Sequence, residues 1–288
     1  MTTAPIAASG TIALGSFTVH RLGYGSMRLA GPDAWGPPPD PEEGIRAVRR
    51  AVELGVDFID TADSYGPFWS EQLLKKALHP YPDNLVIATK AGHTRPGPTD
   101  WVPVGRREYI RQQCHLSLRH LGVEQIDVFQ IHRLDPHIPL EEQFGTLREL
   151  QDEGLVRHVG LSNVTIEQAT EARNAIELAS VQLPYSLARR EHDAFVDLCT
   201  EWGVPFIPWA PIAAGRLAAN ADLGRLAGEL GATPSQLAVA WLLRRSPMMM
   251  PIPGSARVAH VEENCAAAEL QLGESDFEAI DVLLATEG

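Results

Sequence analysis

A chain of 288 residues that is 44% hydrophobic can bury a large core, either as one α/β barrel or as two ordinary domains. Its 24 lysines and arginines against 37 acids leave a formal charge of −13, which argues against a nucleic-acid surface and leaves any anionic ligand to a local cluster of donors. No apolar run approaches the roughly 18 residues of a membrane span, and MTTAPIAASG lacks the basic and apolar regions of a signal peptide, so a soluble cytoplasmic protein is expected.

The first predicted element is a short hairpin in GTIALGSFTVH, whose residues alternate around Gly15-Ser16. A strand follows in RLGYGSM (21–27), then a Pro-rich loop (31–41) and a helix over 41–55, where Ile45, Val48 and Val52 form a stripe, Glu42 and Glu43 sit at the positive end and Gly55 closes it. Continuous apolar runs predict further strands at 56–60, 84–90, 126–132, 157–162, 179–183, 204–210 and 248–253, as expected of parallel strands covered on both faces. Helical periodicity recurs at 105–122, 140–154, 165–177, 191–203 and 234–245, and a last helix is expected at 275–285. No linker divides the chain. The pattern therefore predicts a single (β/α)8 TIM barrel over 1–288, with the hairpin plugging one end and a short C-terminal helix. Cys114, Cys199 and Cys265 are far apart and form no CxxC pair, so they read as buried thiols.

In such a barrel the chemistry sits where strands end. Asp60, Lys90 and His132 end the second, third and fourth predicted strands, and Tyr65 follows Asp60 on its loop. Singly, each has an ordinary reading as cap, surface lysine, core histidine or packing aromatic; together they converge on one end of the barrel. A phenol with a pKa near 10 is brought closer to the working range by an adjacent ammonium, which is a job for Lys90, and Asp60 is placed to keep that lysine charged. His132 is placed to donate a hydrogen bond to a substrate carbonyl or to relay a proton to Tyr65.

These four residues, with the stretches DTADSYG and GLSN, resemble the aldo-keto reductase family, and the resemblance extends from RLGYGSM to IPGSARVAHVEEN. It implies that Asp60, Tyr65, Lys90 and His132 form a catalytic tetrad. It also implies an extended nicotinamide dinucleotide, NADP(H) in preference to NAD(H), without a Rossmann domain. Ser162, Asn163 and Gln182 match carboxamide contacts, and Trp209 matches the ring that stacks on nicotinamide. Ser162 or Asn163 could alternatively cap the helix beginning near Thr165. The resemblance further implies cofactor contacts from Gly25, Ser26 and Met27 near the ribose, from Pro211 and Ile212, and from Gly215 and Arg216 over the pyrophosphate. After the last predicted strand, Gly254, Ser255, Arg257 and His260 open a helix, a common phosphate site in barrels. The resemblance assigns that segment to the adenosine 2′-phosphate, with Glu263 and Asn264 on the adenine. Gly254 stands where many members carry lysine, which leaves NADH open beside NADPH.

GYGSMR lacks the third glycine and the helix of a dinucleotide fingerprint, and no histidine spacing suits zinc, so no metal is expected. Met27, Trp35 and Trp69, with Trp101, are expected to line an aromatic substrate cavity. The loop LAGPDAWGPP resembles that of bacterial pyridoxal reductase-like members. The expected partner is a small carbonyl substrate, and the expected assembly is a monomer or weak oligomer. The competing readings are a redox-sensing subunit that binds cofactor with little turnover, and a barrel hydrolase; the second lacks an acidic partner for Asp60.

Overall fold

The computed structural model describes residues 4–212 and 220–285. Strands β1 (Thr11–Leu14) and β2 (Phe17–His20) pair antiparallel across Gly15 and Ser16; Gly15 takes the left-handed φ of 59° that the tight turn needs. The hairpin buries Ile12, Leu14 and Val19 against Phe58, Val86, Val128 and Ile207 at the bottom of the barrel, forming the expected plug. His158 ties it down, its Nε2 accepting the Ser16 backbone N–H at 2.9 Å.

The main sheet is parallel, in the order β11 (Phe206–Trp209), β10 (Leu178–Pro184), β9 (Val156–Ser162), β8 (Ile126–Ile131), β5 (Val86–Ala91), β4 (Phe58–Asp60) and β3 (Tyr24–Gly25). Helices cover its outer face: α1 (Pro41–Glu53), α2 (Trp69–Leu78), α3 (Arg107–Leu121), α4 (Leu140–Asp152), α5 (Ile166–Ala175), α6 (Asp193–Trp202), α7 (Ala221–Glu229), α8 (Pro234–Arg245), α9 (Val258–Ala266) and α10 (Glu274–Ala285). Their starts follow local chemistry. The Asp40 carboxylate caps α1 by accepting from Glu43 N–H, with Pro41 behind it, and Thr165 and Thr233 close capping boxes with Gln168 and Gln236 on α5 and α8.

The eighth predicted strand (248–253) is not a regular strand. Pro251 and Pro253 remove two ladder donors, so the segment bonds only where N–H groups remain. It still closes the barrel: Phe206 N–H donates to Met248 O, Met250 N–H to Phe206 O, and Gly23 N–H to Pro251 O. Sequence reading also passed over α2, α7 and a small antiparallel ribbon, β6 (His93–Thr94) with β7 (Val102–Pro103), inserted after β5.

Strand pleating decides what reaches the site. Alternate residues face the interior, so Phe58 is followed by Asp60, Val86 and Ala88 by Lys90, and Val128 by Gln130 and His132. Each row starts apolar against the hairpin and ends polar at the opposite mouth. Register holds the polar ends level: Asp60 pairs with Ala88, Lys90 with Gln130, and Ser162 with Gln182.

Candidate active site

Lys90 and Asp60 are buried at the mouth of the barrel, with relative exposures of 0% and 1%. The Lys90 ammonium donates to Asp60 Oδ1 at 2.5 Å, to Thr61 O at 2.8 Å and to the Tyr65 hydroxyl at 3.5 Å. Asp60 Oδ2 accepts from the side-chain amides of Gln130 at 3.1 Å and Gln182 at 2.9 Å. Every oxygen of this carboxylate is thereby occupied by a donor, which is the condition for keeping a buried charge. Burial alone pushes the Lys90 ammonium's pKa down, but Asp60 and the Tyr65 phenol outweigh it and the net shift is upward.

Tyr65 sits on the turn after β4. Burial is the largest influence on its phenol and pushes the pKa up; the nearby Lys90 charge pulls it down, and Asp60 pushes it up again. The ammonium therefore moderates the phenol's pKa without bringing it below the ordinary value, contrary to the sequence-based expectation. Tyr65 is a protonated donor at neutral pH.

His132 meets Tyr65 edge-on, with ring centroids 5.9 Å apart, and its Nδ1 lies 3.2 Å from Ser64 Oγ. Desolvation, with the charge of Lys90 next, drives its imidazole well below the usual range, so the ring is neutral. No hydrogen bond joins His132 to Tyr65 among the described residues, so a direct relay between them is not set up. His132 does line the cavity. Ser64 was passed over in the sequence, although it lies inside DTADSYG.

A cavity of about 740 Å³ opens above these groups, lined by Met27, Tyr65, Trp101, His132, Trp209 and Gly254, among others. Ser162 is buried at the end of β9. Asn163, at φ 54°, donates from Nδ2 to His132 O and Ser162 Oγ, and its Oδ1 accepts from Trp209 Nε1 at 3.3 Å. Neither caps α5, because Thr165 does so itself. Gln182 donates its side-chain amide to Asp60, lines the cavity, and among the described residues accepts no hydrogen bond at its side-chain oxygen. Gly25, Ser26, Pro211 and Ile212 also line it, whereas Gly215 and Arg216 lie outside the described residues. Trp35 and Trp69 do not line it. Trp35 lies behind the wall, its ring 5.4 Å from the Arg95 guanidinium, and Trp69 packs over Gly66 as the first residue of α2. Trp101, brought in by the β6–β7 ribbon, supplies the aromatic wall together with His93.

At the far end, Arg257 precedes α9; its backbone N–H donates to Ser255 Oγ, which also meets His260 Nδ1 at 3.3 Å. The Arg257 guanidinium has no partner among the described residues, whereas the first N–H of α9, on Val258, is taken by Glu43 Oε1 at 3.1 Å. Glu263 accepts from Thr233 Oγ1 at 2.6 Å, and Asn264 is buried. A Cβ at Gly254 would lie 1.8 Å from Gly25 O. In this backbone the position therefore has room for glycine and for no side chain.

The family model for the aldo/keto reductases matches residues 21–285, and the chain belongs to that family. It is 44% identical over 274 residues to an uncharacterized oxidoreductase of Schizosaccharomyces pombe, covering 95% of this chain and 89% of the relative. It is 42% identical over 279 residues to pyridoxine 4-dehydrogenase of Escherichia coli, covering 95% and 98%. Its fold matches an aldo-keto reductase of Klebsiella pneumoniae solved in complex with NADPH, with a TM-score of 0.80 and 25% identity over 95% of this chain and 94% of the other.

Proposed function

We propose that the protein reduces an aldehyde or ketone to its alcohol, and catalyses the reverse, using NADPH and a proton from Tyr65. The observation that carries this reading is the buried contact of the Lys90 ammonium with both Asp60 and the Tyr65 hydroxyl on the floor of a large cavity.

The residues fit an extended dinucleotide. The Gln182 and Asn163 side chains suit a carboxamide, with the Ser162 hydroxyl buried behind Asn163; the Trp209 ring suits a flat heterocycle, and Gly25, Ser26, Met27, Pro211 and Ile212 suit the ribose. Ser255, Arg257 and His260, grouped at the start of α9, suit a phosphate, with Glu263 and Asn264 beside it. When bound, NADPH supplies a hydride to the carbonyl carbon. Tyr65 then donates its proton to the oxygen on which charge develops, and Lys90 stabilises the phenolate that remains. Asp60 keeps Lys90 charged through both halves of the exchange. Neutral His132 offers its free ring nitrogen to the same oxygen, held in orientation by Ser64.

The 42% identity to a pyridoxine 4-dehydrogenase favours a pyridoxal-type aromatic aldehyde, and the apolar wall of Met27 and Trp101 is compatible with one. We place the protein in the cytoplasm as one domain and as a monomer or weak oligomer. In support, Cys114, Cys199 and Cys265 are buried free thiols pushed up to about 12 by burial, and no described helix is long and apolar enough to cross a membrane. The test follows loss of reduced-nicotinamide absorbance with pyridoxal, benzaldehyde and small ketones. Turnover with at least one is expected; tight NADPH binding with no turnover on any would favour the redox-sensing reading instead.

A further inference from the structure

Arg95 lies just beyond β6 with only 9% of its surface exposed, and among the described residues no carboxylate bonds it. Its five N–H donors all go to backbone carbonyls instead. Nε donates to Asp100 O at 3.1 Å, Nη1 to Ala34 O at 3.2 Å and Ser64 O at 3.0 Å, and Nη2 to Asp33 O at 3.0 Å and Pro98 O at 2.5 Å. Those five are a guanidinium's full complement, so the group has none left for a substrate. The carbonyls belong to three loops: the segment after β3, the turn that carries Ser64 and Tyr65, and the tip of the β6–β7 ribbon. Asp33 and Ala34 sit at φ 55° and 52°, a left-handed backbone that non-glycine residues rarely hold without support.

The face of the same guanidinium stacks on Trp101, 3.6 Å from the ring centroid. Trp101 in turn meets the rings of His93 and His132 edge-on, at 5.5 and 6.0 Å, and lines the cavity. We propose that Arg95 is a positioning residue that clamps these three loops and sets the Trp101 wall of the carbonyl-binding cavity against His132. It deepens the reductase reading and rests on it for its kinetic consequence. A lysine cannot replace it, because an ammonium has three donors and no planar face to lay on the indole.

The test uses the full chain and its Arg95→Met, Arg95→Lys, Trp101→Leu and Arg95→Met/Trp101→Leu variants. With NADPH saturating, Arg95→Met is expected to raise KM for the carbonyl about 10-fold or more while the NADPH dissociation constant, read by tryptophan fluorescence, moves less than about 3-fold. Arg95→Lys should rescue little of this. The double variant should be no worse than the poorer single one, because both changes act through one wall. An unchanged KM, an equal loss of NADPH affinity, or additive effects would overturn the proposal, as would loss of the cooperative thermal transition, because the clamp is local. Hydrogen exchange reads the clamp without turnover: in Arg95→Met the amides of Trp35, Gly36, Gly66 and Asp100, whose backbone bonds close these loops, should exchange about 10-fold faster or more. Unchanged exchange would contradict the clamp. A wild-type protein inactive on every carbonyl would sink the reductase reading and leave the exchange result standing.

Discussion

At the scale of residues, the floor of the cavity is an electrostatic balance in which each member fixes the charge of the next. Removing Lys90 leaves Asp60 buried with only two amide donors, so Lys90→Met is expected to cost about 3 kcal/mol of stability, measurable by urea unfolding. It should also remove the Lys90 charge that holds the Tyr65 pKa down against burial, which changes the pH profile with a definite sign. Reduction uses the protonated phenol and should persist through neutral pH, whereas alcohol oxidation needs the phenolate and should rise with pH. In Lys90→Met the rise should move to higher pH; an oxidation profile unmoved by this substitution would contradict the assigned role. Arg257→Ala tests the other end: NADPH affinity should fall about 10-fold while NADH affinity stays within about twofold, since only the former carries the extra phosphate. Equal losses for both would remove the 2′-phosphate assignment.

At the scale of elements, the strand rows made the cluster of Asp60, Lys90 and His132 legible in the sequence. Asp60, Lys90 and His132 stand out because a polar residue ends an otherwise apolar run, and the pleat carries all three to one mouth. The rest was hidden for specific reasons. Residues 248–253 have a strand's composition, but their prolines allow only isolated bonds. The ribbon of β6 and β7 has two residues per strand, too few for a periodic signal, yet it delivers Trp101; Trp69 looks like a loop aromatic only if the helix it starts is overlooked. Arg95 gives no signal in sequence, because its partners are carbonyls from distant loops. The close approach of the closing segment to β3 yields its own prediction. Gly254→Ala puts a methyl group into Gly25 O and should destabilise the protein by about 2 kcal/mol while weakening NADPH binding. Calorimetry and a fluorescence titration would check both, and a neutral substitution would mean that the contact is slack.

At the scale of the whole molecule, the barrel buries titratable groups under one mouth, and its stability should depend on pH accordingly. His93 is pushed down to about 4 by burial, with Arg133 and Arg95 adding to it, and His132 falls well below the usual range. The unfolded chain takes up these protons near pH 6.5, so the stability that they contribute is complete above that value and lost as pH falls below it. For His93 the loss reaches about 3 kcal/mol by pH 4. Asp63 works in the opposite direction, because burial and Glu71 push its carboxyl up and ionisation in the fold is costly above pH 4. Urea midpoints at pH 7.5, 6 and 5 should therefore fall with pH, more steeply in Asp63→Asn, where the opposing group is gone; a flat series in that variant would contradict neutral buried imidazoles.

The central claim is that the Tyr65 hydroxyl, beside Lys90, is the proton donor of a carbonyl reduction within this barrel. Tyr65→Phe removes one oxygen atom and leaves the ring in place. Measured together, its NADPH dissociation constant should stay within about 3-fold of wild type while kcat for the best aldehyde falls about 1,000-fold or more. A variant that keeps even a tenth of wild-type turnover would contradict the account.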